Sequence, residues 1–209
     1  MSLENLREKN IQMVVEKALL CFEEQGIENT KVRDIAKAAG LTERSVFRYF
    51  ATKTDIIQAA AYLMWCRTLE NVAAEFWSAQ PENLTGIEQI EILLNLYSRL
   101  FLKYPKKTRF SLDAETALFS ANRSEAARRR PPEPYEGSKS PMVMAIRKGL
   151  EDGTVNPRYD PKELYYNTYD SVLGVMQRMV VDTTSATDLD NELRMKHLCE
   201  IFIREFRGE

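Results

Sequence analysis

Histidine and cysteine are scarce in this 209-residue chain, which has one histidine, His197, and three cysteines, Cys21, Cys66 and Cys199. His197 has no serine, cysteine or carboxylate partner at motif spacing, so a core or interface position is expected for it and catalysis has little to stand on. The cysteines are odd in number, far apart and embedded in apolar helical patterns. They predict buried thiols in a reducing compartment, not a disulfide framework or a zinc site. A Gly-rich phosphate loop and a metal-ligand cluster are also missing, so no enzyme activity, metal or cofactor is expected. Asp188 and Asp190, the nearest thing to paired acids, flank a helix start and look like caps. No apolar run approaches the roughly 20 residues of a membrane span, and the opening MSLENLREKN offers no signal peptide, which predicts a cytoplasmic protein. No strand pattern occurs anywhere; the expected fold is all-α.

What the chain does have is a local excess of positive charge near its start. The formal net charge is −2, yet Thr30 to Lys53 holds six basic residues (Lys31, Arg33, Lys37, Arg44, Arg48, Lys53) against two acidic ones, Asp34 and Glu43. Met1 to Asn29 has the opposite balance, three basic against six acidic. A positive field focused on one short segment is the footprint of a phosphate-binding surface.

The same segment has the apolar spacing of two short helices. Val32, Ile35, Ala36 and Ala39 precede a break at Gly40; Leu41, Val46, Phe47 and Phe50 follow it. Gly40 can take the left-handed conformation that ends a helix, and the Thr42 hydroxyl can cap the next one. The second helix carries Arg44, Ser45, Arg48 and Tyr49 on the face that Val46 and Phe50 do not use. This is the form of a helix-turn-helix that reads a DNA major groove. An earlier stripe, Ile11, Val14, Val15, Ala18 and Phe22, predicts a first helix ended by Gly26. It completes a three-helix domain with a core of Val14, Ala18, Phe22, Ile35, Val46 and Phe50, with Thr30 as the expected cap of the second helix.

Further on, Thr52 to Asp55 looks like a capping box that opens a long fourth helix running toward Trp77. Thr85-Gly-Ile-Glu88 caps another, with Ile87, Ile90, Leu93, Leu94, Tyr97 and Phe101 on its buried face, and Pro105 ends it or begins the next. After a helix over residues 106–121, the proline-rich stretch Arg128–Pro134 predicts a solvated loop. A short helix from Pro141 to about Glu151 and two long ones, Pro161–Val181 and Thr187–Phe206, finish the chain. The last two suit either a four-helix bundle made by two copies or the core of one monomer. The domain division expected is 1–52 for the helix-turn-helix and 53–209 for the rest, about nine helices in all.

TKVRDIAKAAGLTERSVFRYFATKTDI closely resembles the N-terminal signature of the TetR family of bacterial transcriptional regulators. Ile35, Ala36, Ala39, Gly40, Leu41 and Thr42 match its first run; Phe47, Tyr49, Phe50 and Lys53 match its tail. The resemblance covers roughly the first quarter of the chain. It implies a bacterial cytoplasmic homodimer, on the nucleoid when bound to a pseudo-palindromic double-stranded DNA operator. It also implies a C-terminal ligand-binding and dimerisation domain, and repression relieved by a small-molecule effector.

By position in that signature, Arg44 and Arg48 are the expected readers of base edges, with Arg33 as a third. Ser45 serves a phosphate or a base. Thr30, Thr42, Tyr49 and Lys53 are expected at phosphates, or as caps in the case of the threonines and as packing in the case of Tyr49. Phe47 stands where a tyrosine is common and would touch a sugar, a thymine methyl or the core. The aromatic supply of the middle helices favours an apolar or aromatic effector, with Trp65, Trp77, Tyr97, Phe101, Phe119, Tyr166, Tyr169 and Met176 as candidate contacts. Leu173, Met176, Val180, Leu198, Ile201 and Phe202 are the expected dimer contacts. The effector is expected to favour a state in which the fourth helices swing apart, so that two recognition helices no longer match half-sites about 34–36 Å apart. The rival reading is a helical homodimeric module that answers to a protein partner and reads DNA weakly or not at all.

Overall fold

The computed structural model describes residues 3–121, 135–136, 138–181 and 189–209. Among them every regular element is helical. The order is α1 (Leu3–Gln25), α2 (Val32–Ala38), α3 (Glu43–Tyr49), α4 (Lys53–Ser78), a 3-10 turn (Pro81–Asn83), α5 (Gly86–Ser98), the single turn α6 (Leu100–Lys103), α7 (Pro105–Ser120), α8 (Pro141–Asp152), α9 (Pro161–Val180) and α10 (Asn191–Arg207). Nine of these have seven or more residues, and the all-α expectation holds. Arg128–Pro134, Thr187 and Asp188 lie outside the described residues.

Two compact units result: Met1–Arg67 with Arg109–Arg130, and Thr68–Thr108 with Pro131–Glu209. Residue 53 is the start of α4, whereas the units part inside that helix. The reason lies in the first unit's core. Val14, Ala18, Phe22, Ile35 and Val46 are buried as their spacing predicts, and they are joined by Ile56, Ile57, Ala60 and Met64 from α4. Phe110, Ala114 and Leu118 of α7 belong to the same cluster. The Phe22 and Phe110 rings stack with centroids 5.6 Å apart and planes 10° from parallel. Burying one such ring contributes about 1.5–3 kcal/mol, so the first unit is not complete without these later segments. Phe50 is half-buried at the edge of the cluster instead of inside it, because it follows α3 in an extended conformation (φ −129°, ψ 119°).

In the second unit α5 packs along α8 and α10, and α9 packs against α10. Its buried stripe is Ile87, Ile90, Leu93, Leu94 and Tyr97, as the periodicity predicts. Thr85 and Glu88 form the expected capping box, and the end of α8 adds to it: the Gly86 N–H donates to the Asp152 carboxylate at 2.8 Å and the Ile87 N–H to the Thr154 hydroxyl at 3.2 Å. A close approach makes this possible. A Cβ built on Gly86 would stand 2.1 Å from the Gly149 backbone nitrogen and 2.6 Å from the Ala145 carbonyl oxygen. The last helix starts at Asn191, four residues later than expected, where Asp190 accepts from the Leu193 N–H at 3.0 Å.

Cysteine burial is uneven. Cys199 is buried, and burial pushes its thiol up to about 11, but Cys21 and Cys66 are only half-buried, which corrects the expectation of three buried thiols. They lie on helix flanks beside the core stripe, where an apolar pattern alone does not separate edge from interior.

Gly86→Ala should lower stability by about 1–3 kcal/mol, the usual cost of overpacking. Thermal unfolding checks this; an unchanged Tm would mean that the two helices do not touch at this pair.

Candidate functional site

The basic segment folds as a tight helix pair because three local devices agree. Asp34 accepts from the Lys31 N–H at 3.0 Å, which starts α2. Gly40 sits at φ 66°, and the Leu41 N–H turns back to the Ala36 carbonyl at 2.9 Å. Thr42 then caps α3, accepting from the Ser45 N–H at 3.2 Å, while the two hydroxyls are 2.9 Å apart. With Val46 at 0 % exposure, the opposite face of α3 is held outward, and it carries Arg44, Phe47 and Arg48, all exposed.

Tyr49 links this face to the first helix. Its hydroxyl accepts from Asn10 Nδ2 and from an Arg48 guanidinium nitrogen, each at 3.1 Å, and the guanidinium lies 5.2 Å from the ring centroid. The Arg48 bond first, and the Asn10 bond second, hold the phenol below its ordinary pKa. The periodicity of α1 contains no sign of Asn10 in this role. Arg33 is exposed at the start of α2, with Asp34 at 3.9 Å. Lys53 is half-buried and donates to the Ile27 carbonyl at 2.5 Å; an ammonium has two further N–H donors.

Thr30 behaves differently from the others. It is 0 % exposed, and its hydroxyl lies 2.7 Å from the Gly26 carbonyl and 3.2 Å from the Cys21 carbonyl. In this arrangement it ties the end of α1 to the start of α2. It is not the cap either, since Lys31 occupies that position. A single hydroxyl before a helix looks the same in sequence whether it caps, packs or binds.

The candidate ligand residues fall into both units, and each unit is distinct. In the first, Trp65 packs against the core cluster and Phe119 is 75 % exposed on α7. In the second, Tyr97 and Tyr169 meet edge to face at 5.1 Å, Tyr169 meets Tyr165 at 5.1 Å, and all three line a cleft of about 290 Å³. Leu69, Glu70 and Ala73 of α4 and Lys139, Ser140 and Pro141 at the start of α8 complete it. Tyr165 was not among the expected contacts. Tyr166 lies beside it, accepting from the Tyr135 N–H at 3.1 Å. Met176 is buried, Trp77 is exposed, and the Phe101 side chain lies outside the described residues. A wider cleft of about 600 Å³, with Val72, Glu75, Arg99 and Lys103 in its wall, includes none of the candidates.

The family model for bacterial regulatory proteins of the tetR family matches residues 14–60. No curated protein matches the chain. Solved structures resemble it along its length: RolR in complex with resorcinol is 15 % identical, with 99 % of this chain and 91 % of that one covered and a TM-score of 0.63. A tetR-family regulatory protein from Rhodococcus RHA1 is 15 % identical over 96 % and 98 % with a TM-score of 0.58. The ketosteroid transcriptional regulator KstR2 of Mycobacterium tuberculosis is 18 % identical over 95 % of each chain with a TM-score of 0.54. At these identities the likeness shows the fold, and the chain has the fold of tetR-family transcriptional regulators.

Against that tetR fold, the expected dimer residues divide in two. Ile201 is 63 % exposed, and Val180, Leu198 and Phe202 are half-buried, whereas Leu173 and Met176 are already inside their own unit's core. His197 is exposed on α10, not in the core of this unit. Among the described residues no helix is long and apolar enough to cross a membrane, and no three metal-ligating side chains converge.

Thr30→Val should cost about 1–3 kcal/mol of stability, the penalty for leaving buried carbonyls without their donor. Chemical denaturation measures it; a variant as stable as the parent would mean that the hydroxyl is not committed to the α1–α2 loop.

Proposed function

We propose that the chain is a homodimeric repressor that reads a pseudo-palindromic DNA operator with α3 and is released by a small aromatic ligand. The observation that carries the reading is α3 itself: a seven-residue helix, capped by Thr42 and anchored by Val46, that turns Arg44, Phe47 and Arg48 to solvent inside a segment of six basic residues against two acidic ones. Arginine forks suit O6 and N7 of guanine. Arg44 and Arg48 therefore read base edges, with Arg33 as a third, Phe47 meets a sugar or a thymine methyl, and Thr42, Ser45, Tyr49 and Lys53 hold phosphates.

The dimer uses the outer face of α10, where Ile201 and Leu193 are exposed and Leu198 and Phe202 half-buried. A palindromic site needs a two-fold protein. The tyrosine cleft is the effector site. RolR, bound to resorcinol, supports a small aromatic ligand for this fold. Release works through α4, which runs unbroken from Lys53 to Ser78, giving Ile56, Ile57 and Ala60 to one core and Leu69, Glu70 and Ala73 to the cleft. The ligand must bind the released state more tightly than the DNA-bound one, since equal affinity shifts nothing.

Selection of duplexes from a random pool should return palindromes with guanine in each half-site. Arg48→Ala should relax one position by about 1–3 kcal/mol, and Lys53→Ala should weaken all sequences alike with a shallower salt slope. Equal losses on specific and random duplexes for both variants would defeat this division of labour. Ile201→Glu should give a monomer by light scattering; an intact dimer would move the interface elsewhere.

A further inference from the structure

The tyrosine cleft has a chemical polarity that its aromatic wall does not explain. Lys139, Ser140 and Pro141 bring the start of α8 into its wall. Lys139 lines the cleft, is exposed, and has no ion pair recorded among the described residues. Ser140 is the N-cap residue of α8, yet its side chain makes no capping bond. Its Oγ is shielded from solvent and has no hydrogen-bond partner among the described residues. Pro141 opens the twelve-residue helix, whose first turn contains no acidic side chain to meet its positive end. Arg147 adds charge close by, with its guanidinium donating to the Ser138 and Tyr135 carbonyls.

The caps of the neighbouring helices are filled: Thr85 and Glu88 on α5, Asp160 on α9 and Asp190 on α10. At α8 an orphan hydroxyl and a lysine line the cavity beside a helix N-terminus that has no side-chain cap. Donors and positive charge collected in this way fit a carboxylate. Among the described residues of the wall Glu70 is the one acidic side chain, and it comes from α4, a different helix. A carboxylate acceptor there suits a ligand hydroxyl and repels a second anion. The rings of Tyr97, Tyr165 and Tyr169 line the same cleft and can take an aromatic ligand edge to face or offset. About 290 Å³ lies at the small end of ligand cavities, which suits one ring with short substituents.

We propose that the cleft binds a hydroxylated monocyclic aromatic acid, its carboxylate at Lys139, Ser140 and the α8 N-terminus, its ring among the tyrosines and its hydroxyl donating to Glu70. This rests on reading the cleft as the effector site and adds the charge and functional groups of the ligand. Ser140 Oγ gains its missing partner, and the uncapped turn of α8 gains an acceptor. A neutral phenol satisfies only the Glu70 end. An amine leaves the α8 donors empty and places a cation beside Lys139.

Calorimetric titration of the full chain without DNA, using 4-hydroxybenzoate, its neutral amide and 4-hydroxybenzylamine as probes, tests the assignment. The acid should bind about tenfold more tightly than the amide, as a charge-assisted contact requires, and the amine most weakly. Lys139→Gln, at an exposed position, should remove the preference for acid over amide. Equal binding of acid and amide, preference for the amine, or absence of binding by all three would overturn the proposal. Operator release is measured separately: a chain that binds the acid and keeps its operator refutes release and leaves the ligand class standing.

Discussion

The exposed basic face of α3 depends on the burial of one side chain, Val46. A seven-residue helix is too short to persist in water by its own hydrogen bonds, so α3 exists because Val46 is sealed beneath α1 and α2 and because Thr42 satisfies its first turn. Once that face is fixed inward, the helical period leaves Arg44, Phe47 and Arg48 nowhere to go but outward. The charges are exposed as a consequence of an apolar contact on the other side of the same helix.

Around that anchor the polar groups are committed to different degrees. Thr30 is spent entirely inside the fold, tying two carbonyls together. Thr42 and Ser45 hold each other at the start of α3 and remain at the surface. Tyr49 accepts two bonds and keeps its own proton to give, with Asn10 and Arg48 fixing the ring's oxygen in place. Residues that match one sequence signature therefore divide into those that build the head and those that are open to a ligand.

The second unit solves a different problem. Its helices come close enough for backbone to touch backbone at Gly86 and Gly149, and the end of α8 supplies caps for the start of α5. The start of α8 is left without such a cap, next to three packed tyrosines. One helix thus has a closed end that holds the unit together and an open end that faces a cavity.

Much was legible in the residues alone. Helical period, a glycine with no alternative at positive φ, capping boxes and the charge contrast are local properties, and they predicted the helix order, the core residues Val14, Ala18, Phe22, Ile35 and Val46, and the basic segment. Tertiary structure decided whatever depends on partners distant in sequence. Phe110 stacks on Phe22 across 88 positions of chain, which draws part of α7 into the first unit. Tyr165 joins Tyr97 and Tyr169 in the cleft while Trp77 and Phe119, equally aromatic, stay outside. Leu173 and Met176 are used up in one unit's core while Ile201 remains exposed. Composition and period state that a side chain seeks cover; only the folded chain determines which neighbour provides it, because packing is settled by shape and distance between segments that the sequence keeps apart.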